Sequence, residues 1–247
     1  MWRMIYACIL WVCTAFATTI EEAFPIPDGF QRVEDSAFGK WVRQRVVEDP
    51  SVPIRTYDGR RVPHHGRVVR LPMVRGDRQQ CADSLIRLRA EWELSVDVSP
   101  VFHATSGDPM GWTRYANGEI PYEKDGRIAW KPGEAGTFEQ YLSRVFIWAG
   151  TASLHAYDTK RVLSPRSGDV LVQPGYPGHA VLLLDVVVRG TDRLVLVGEG
   201  YMPAQNFHVE QGPVDGWWRW EDGVSLDHWD LPAKTLRRFK SAEHRTR

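Results

Sequence analysis

The chain is poor in cysteine. Only Cys8, Cys13 and Cys81 occur in 247 residues. No pair forms C-x-x-C and no two histidines stand as H-x-x-x-H, so the commonest zinc-ligand spacings are missing. A glycine-rich phosphate loop and a G-x-S-x-G elbow are missing too, which leaves nucleotide and serine-hydrolase chemistry without support. Charge of either sign is not in excess: 31 Lys+Arg balance 31 Asp+Glu, for a net charge of zero. Nothing in that balance points to nucleic acid. No internal repeat or low-complexity segment is found. No apolar run reaches the roughly 20 residues of a membrane span.

What is present is enough for a core: 43% of residues are hydrophobic. Eleven tryptophans are many; most belong in a core, and a few in polar loops could stack on sugar or peptide. The start, "MWRMIYACILWVCTAFATT", has Arg3 before an apolar run from Met4 to about Phe16. Ala15-Phe16-Ala17 then has the small-x-small form of a signal-peptidase site, and cleavage is expected near Thr18. A membrane anchor or a buried helix is the alternative. Cleavage removes Cys8 and Cys13, so the exported chain keeps one thiol and no internal disulfide. A thiol in an oxidising compartment is either buried and inert or used. The basic end, "KTLRRFKSAEHRTR", reads as a solvated, frayed tail.

The expected organisation is a signal peptide (1–17), an N-terminal extension packing on the core (18–75), a core (76–215) with an insertion near 100–157, and a C-terminal segment with the basic tail (216–247). In the extension, 36–47 reads as a short amphipathic helix. "IRTYDGRRV" reads as a hairpin turning at Asp58-Gly59, and "GRVVRLPM" as a short strand. "GDRQQCADSLIRLRAEWE" follows, with Asp77 and Gln80 fitting a capping box and an apolar stripe at 81, 85, 88 and 92. Residues 96–135 show no clear period and read as long loops with short strands. A helical pattern over 137–157 carries Gly150 as a break. Three strands then fall at about 169–173, 179–188 and 194–201, turning near 189–192. The middle strand is apolar on both faces, as a central strand is. Helices first and antiparallel strands later predict an α+β fold.

Cys81 thus opens a helix and His179 opens the central strand. A thiol is nucleophilic as thiolate. The positive end of a helix and an adjacent imidazolium both favour that anion. A third polar group must hold the ring. Glu199 is preferred for this, although counting through the turn puts Tyr201 to Pro203 opposite His179. Tyr201 and Gln205 are the runners-up. Asp185, roughly 20 Å along the histidine's own strand, is excluded. Gln79, Gln80 or the Cys81 backbone N–H could donate to an oxyanion. The plain alternative is that Cys81 is a small core residue and His179 a turn or edge residue. A metal site finds less support: His64 and His65 cannot easily face one ion together, and His208 and Glu210 read as strand or loop surface. No metal and no cofactor is expected.

Several stretches carry a resemblance. "FPIPDGF", "FGKWVR", "YDG", "QCADSLIRLRAEW", "TSGDP…W…Y", "SGDVLVQPGYPGHAVLLLD" and "YMPAQ" resemble the bacterial secreted family catalogued as domain of unknown function 4846, over roughly 24 to 215. That resemblance implies no activity. More loosely, "SGDVLV…GHAVLLLDV…LVLVGE" is similar to NlpC-type and CHAP-type peptidoglycan hydrolases of the papain fold. It implies a papain-like (NlpC-type) core, with Cys81 as nucleophile, His179 as base and Glu199 as orienting residue. Those families place cysteine and histidine closer in sequence and commonly have His, Asn or Asp third.

The expectation is therefore a secreted or periplasmic cysteine hydrolase of amide bonds, acting on peptidoglycan peptides. It would be a monomer, with no nucleic-acid partner and no membrane span after signal cleavage. Trp112, Tyr115, Tyr201 and Gln205 are expected to line the cleft, with the "SGDPMGW" loop on its rim. The alternatives are a non-catalytic module of the same fold binding glycan or peptide, and a transferase on the same dyad.

Overall fold

The computed structural model describes residues 17–33 and 36–245. All of the expected leader except Ala17 lies outside the described residues. The main helices are α1 (Ala37–Arg43), α2 (Cys81–Ser95) and α3 (Phe138–Trp148). The main sheet is built from β1 (Gly66–Val68), β2 (Thr159–Arg161), β3 (Val170–Gln173), β4 (His179–Arg189), β5 (Asp192–Glu199), β6 (His208–Glu210) and β7 (Leu236–Phe239). Their order across the sheet is β1-β6-β5-β4-β3-β7-β2, with neighbours antiparallel. Gln31–Arg32 adds to β4 and Trp218–Arg219 to β5. The fold is α+β on a mostly antiparallel sheet. No helix among the described residues is long and apolar enough to cross a membrane.

The long β4 sits in the middle because both its faces are apolar. Leu182 and Leu184 face the helical side with Leu85, Leu88 and Phe102. Val181 and Leu183 face the other side, under Val224, Leu231 and Leu236. Each fully buried leucine of this kind contributes roughly 1.5–3 kcal/mol of transfer free energy. The turn to β5 falls within the expected 189–192, with Gly190 at φ +59°. A β-bulge between Leu196 and Val197 then shifts the pairing by one residue before the strand ends at Glu199.

Helix α2 is the spine of the helical layer. All of Cys81 to Ala90 is buried, including Arg87 and Arg89. Arg87 is tied to Glu139 at 2.8 Å and to the Gln79 amide oxygen at 3.0 Å. The residue before Cys81, Gln80, is the N-cap, and its N–H donates to Asp83 at 3.0 Å. The expected cap at Asp77 is thus displaced by one turn. Asp77 instead accepts from the Ala204 N–H at 2.7 Å and pins that segment to the helix start.

Two further expectations change, and the break at Gly150 holds. The stretch from 100 to 135 is not mainly loop: it forms two hairpins, Val101–His103 with Pro109–Gly111 and Glu119–Lys124 with Arg127–Pro132. Cross-strand pairing, not a local period, holds them. The helical pattern of 137–157 ends at Trp148, breaks at Gly150 and resumes as short irregular turns to Asp158. Up to Arg245 the basic end is not a frayed tail. Leu236–Phe239 is β7, joining β3 to β2. Arg238 pairs with Asp169 at 2.6 Å, and the Arg245 side chain is fully buried against Glu93. Charge pattern alone read these arginines as solvated because it cannot show their partners.

Candidate active site

The N-terminal tip of α2 and the first residue of β4 meet at one place. Gly200, just past β5, lets them approach. A Cβ there would stand 2.7 Å from Ser84 Oγ and 3.2 Å from the Gln80 carbonyl. The Cys81 thiol accepts the backbone N–H of Ala180, the residue after His179. Cys81 and Gln80 line a cavity of about 390 Å³ with Asp77, Arg78, Tyr176 and Met202. Of the pair, Cys81 is the member that lines the cavity.

His179 is wholly buried behind it. Its Nε2 donates to Glu199 Oε2 at 2.6 Å. Extending the β4–β5 register past the bulge places Tyr201 opposite His179, as counting through the turn predicts. Glu199 lies two residues away on the same face, the diagonal neighbour that a long side chain can reach. The other oxygen of Glu199 lies 2.9 Å from His228 Nε2. Glu199 is therefore clamped between two imidazoles. His179 Nδ1 is buried without a hydrogen-bond partner. Among the described residues no hydrogen bond joins the thiol to the imidazole.

The thiol's surroundings disfavour the anion. Burial pushes the Cys81 thiol up to about 12, helped by Asp83 and Glu199; the N–H groups of Ala180 and Ala82 oppose them. The expectation of a depressed thiol pKa is overturned: burial outweighs the helix end. Asp83 is itself raised to about 8 by burial, against the Gln80 N–H that it accepts. The resting thiol is neutral, and chemistry at Cys81 requires a base in the reacting complex.

Of the other expected residues, Tyr201 is at the site. Its ring lies 5.2 Å from that of His179 and 4.8 Å from that of His228. Burial, then Glu199 and Cys81, raise its hydroxyl pKa. Gln79 is fully buried. Its amide oxygen accepts from Val74 and Arg87, and its amide nitrogen donates to Pro72. It does not line the cavity, so it is not placed to meet an oxyanion there. Gln80 faces the cavity, with its amide donating to Asp77 at 3.1 Å. Gln205 is buried where its backbone pairs with Thr56, and it does not line the cavity. Trp112 and Tyr115 pack with Phe138 and Tyr141, with ring centroids 5.4 to 6.4 Å apart. Tyr115 is core, Trp112 is half-buried against it, and neither lines the cavity. Thr105, in the turn before "SGDPMGW", lies 3.4 Å from the hydroxyl of Tyr176, which lines the cavity.

Sequence reasoning missed His228, which no motif marks, and took His208 and Glu210 for surface. Both are buried on β6. Glu199 and His208 are cross-strand partners, so they share a face with Glu210. His64 Nε2 stands 2.9 Å from Glu210, and its ring is 5.9 Å from that of His228. Four histidines and two glutamates thus form one polar patch, buried at His179, His208, Glu199 and Glu210, half-buried at His64 and exposed at His228. Donating to Glu199 raises the pKa of His228, and donating to Glu210 raises that of His64. Burial acts to raise Glu210, but hydrogen bonds from His208 and His64 outweigh it and hold the carboxyl well below its usual range.

No curated protein and no solved structure matches the chain. The resemblance in the sequence stretches is carried by a family model that reaches beyond both their ends. The chain belongs to the family described as Domain of unknown function (4846), whose model matches residues 20–238.

Proposed function

We propose that the chain is an exported cysteine hydrolase of amide bonds, with a papain-like (NlpC-type) arrangement of Cys81, His179 and Glu199. The observation that carries this reading is the pairing of His179 Nε2 with Glu199 while Nδ1 stays buried and unpartnered. Nδ1 is then the free acceptor, one peptide bond from the N–H that holds the thiol. In the reaction, the Cys81 sulfur bonds to the substrate carbonyl carbon as His179 takes the thiol proton. The carbon–nitrogen bond breaks, and His179 returns that proton to the leaving amine. Water then attacks the thioester, releasing the acid and restoring the thiol. The first N–H groups of α2 have no intrahelical partner and face the developing oxyanion. Glu199 keeps the ring oriented and stabilises the imidazolium.

Peptides of peptidoglycan are the proposed substrate class. The leader reading places the mature chain, starting near Thr18, in the periplasm or outside the cell, where such peptides occur. Incubating the protein with purified sacculi and analysing released fragments by mass spectrometry tests this. Paired new amine and carboxyl termini are expected, and Cys81→Ala should abolish them. No release, or release undiminished by Cys81→Ala, contradicts it.

One observation favours a second reading. A buried, neutral thiol suits a non-catalytic module of the same fold that binds glycan or peptide in the cavity. In that reading Cys81→Ala leaves ligand retention on sacculi intact and no bond is cut.

A further inference from the structure

We propose that His64, His208 and Glu210 bind one divalent transition-metal ion of the zinc class, at a site distinct from the Cys81 thiol. His208 and Glu210 are two residues apart on β6, so strand alternation points both to one face. His64 precedes β1, which pairs with β6 in a register that sets Gly66 opposite Glu210. The two imidazole nitrogens and a carboxylate oxygen all lie within 4.8 Å of one another. Two imidazoles and one carboxylate, with a position left for water, are a donor set that zinc takes readily.

The second observation is the orientation of His208. Its Nδ1 lies 3.0 Å from the Asn206 carbonyl. A carbonyl only accepts, so Nδ1 carries a proton. In a neutral ring Nε2 is then a lone pair, yet it stands 2.7 Å from Glu210 Oε1. Two acceptors at that distance need a proton or a metal ion between them. A backbone carbonyl fixing the far nitrogen is the usual support of a metal-ligating histidine. His208 is also fully buried. The backbone at Gly66 makes room for its ring: a Cβ there would lie 2.5 Å from His208 Cδ2. His64 is only half-buried, which leaves a path from solvent to the site.

The experiment is metal analysis of the mature full-length protein. The chain is purified, stripped with a chelator, reloaded with zinc and desalted, and metal is counted by mass spectrometry. About one zinc per folded chain is expected, with a higher melting temperature when loaded. His208→Ala and Glu210→Gln should fall to background, while His65→Ala and Cys81→Ser keep the metal. His64→Gln, at a half-exposed position, serves if the buried variants do not fold. With cobalt instead of zinc, visible d–d bands without a sulfur charge-transfer band are expected. The proposal is overturned if folded wild type holds no metal. It is equally overturned if Glu210→Gln keeps the ion while Glu199→Gln loses it, or if a sulfur band appears and vanishes in Cys81→Ser. None of these readouts depends on hydrolysis, so its absence would not mimic loss of the metal.

Discussion

Asp83→Asn tests the electrostatics around Cys81. Asp83 stands in the first turn of α2, 7% exposed, with one oxygen on the Gln80 N–H and the other buried and unpartnered. Burial raises it to about 8. The unfolded chain releases this proton near pH 4, whereas the native chain holds it to about pH 8. Between those values the unfolded state binds fewer protons, so native stability falls as pH rises. The slope is about 1.4 kcal/mol per pH unit from this group alone, of order 5 kcal/mol over the window. Asparagine mimics the protonated acid and has no proton to lose. Urea denaturation of wild type and Asp83→Asn between pH 5 and pH 9 isolates the effect as a difference. The variant should gain on wild type steadily up to about pH 8 and then level off. The Asp83 charge also raises the Cys81 thiol, so iodoacetamide should label the variant faster above pH 8. A stability difference that stays constant from pH 5 to pH 8 would refute the reasoning.

Glu199→Gln should lower the hydrolysis rate by roughly 10- to 1000-fold, because an amide cannot accept from both His179 and His228; charge-assisted bonds of this kind are worth about 1.5–3 kcal/mol each, and a progress-curve comparison on peptidoglycan peptides checks it. Arg245→Ala should cost about 3–5 kcal/mol by leaving Glu93 buried with less compensation; urea midpoints measure it, and a loss under about 0.5 kcal/mol would mean that the C-terminal end is not packed. Gly66→Ala should destabilise by driving a Cβ into His208 and the Val209 carbonyl, which are 2.5 Å and 3.0 Å from it; an unchanged melting temperature contradicts the close approach. At pH 7 wild-type Cys81 should be alkylated slowly in the native state and rapidly in urea, since its thiol is neutral and buried; equal rates would place it on the surface.

Much of the sheet was legible because its signals are local. "GDVLV", "HAVLLLDVVV" and "DRLVLVGE" are apolar runs set off by turns, and Gly190 marks the hairpin between the last two. Alternation along β5 also sufficed to prefer Glu199, since a glutamate reaches a diagonal neighbour. The polar patch was not legible. His64, His208 and His228 come from three distant segments, joined by β1–β6 pairing and by the C-terminal chain folding over β5, and no spacing encodes that. Burial failed similarly for Arg245 and Cys81: the sequence shows a charge and a helix start, but not the desolvation that sets their chemistry. Trp112 and Tyr115 sit in a glycine-rich region that suggested a rim, but that composition does not reveal which way a ring faces. Phe138 and Tyr141, on a helix further along, draw Tyr115 into the core and Trp112 against it.

The central claim is that Cys81 is the nucleophile and His179 its base. The most direct measurement is peptide mapping by mass spectrometry after acid-quenching a reaction with peptidoglycan peptides. The account predicts a hydroxylamine-sensitive acyl adduct on the peptide bearing Cys81, present in wild type and absent in His179→Ala. Turnover without any adduct on Cys81, or an adduct that forms equally fast in His179→Ala, would contradict it.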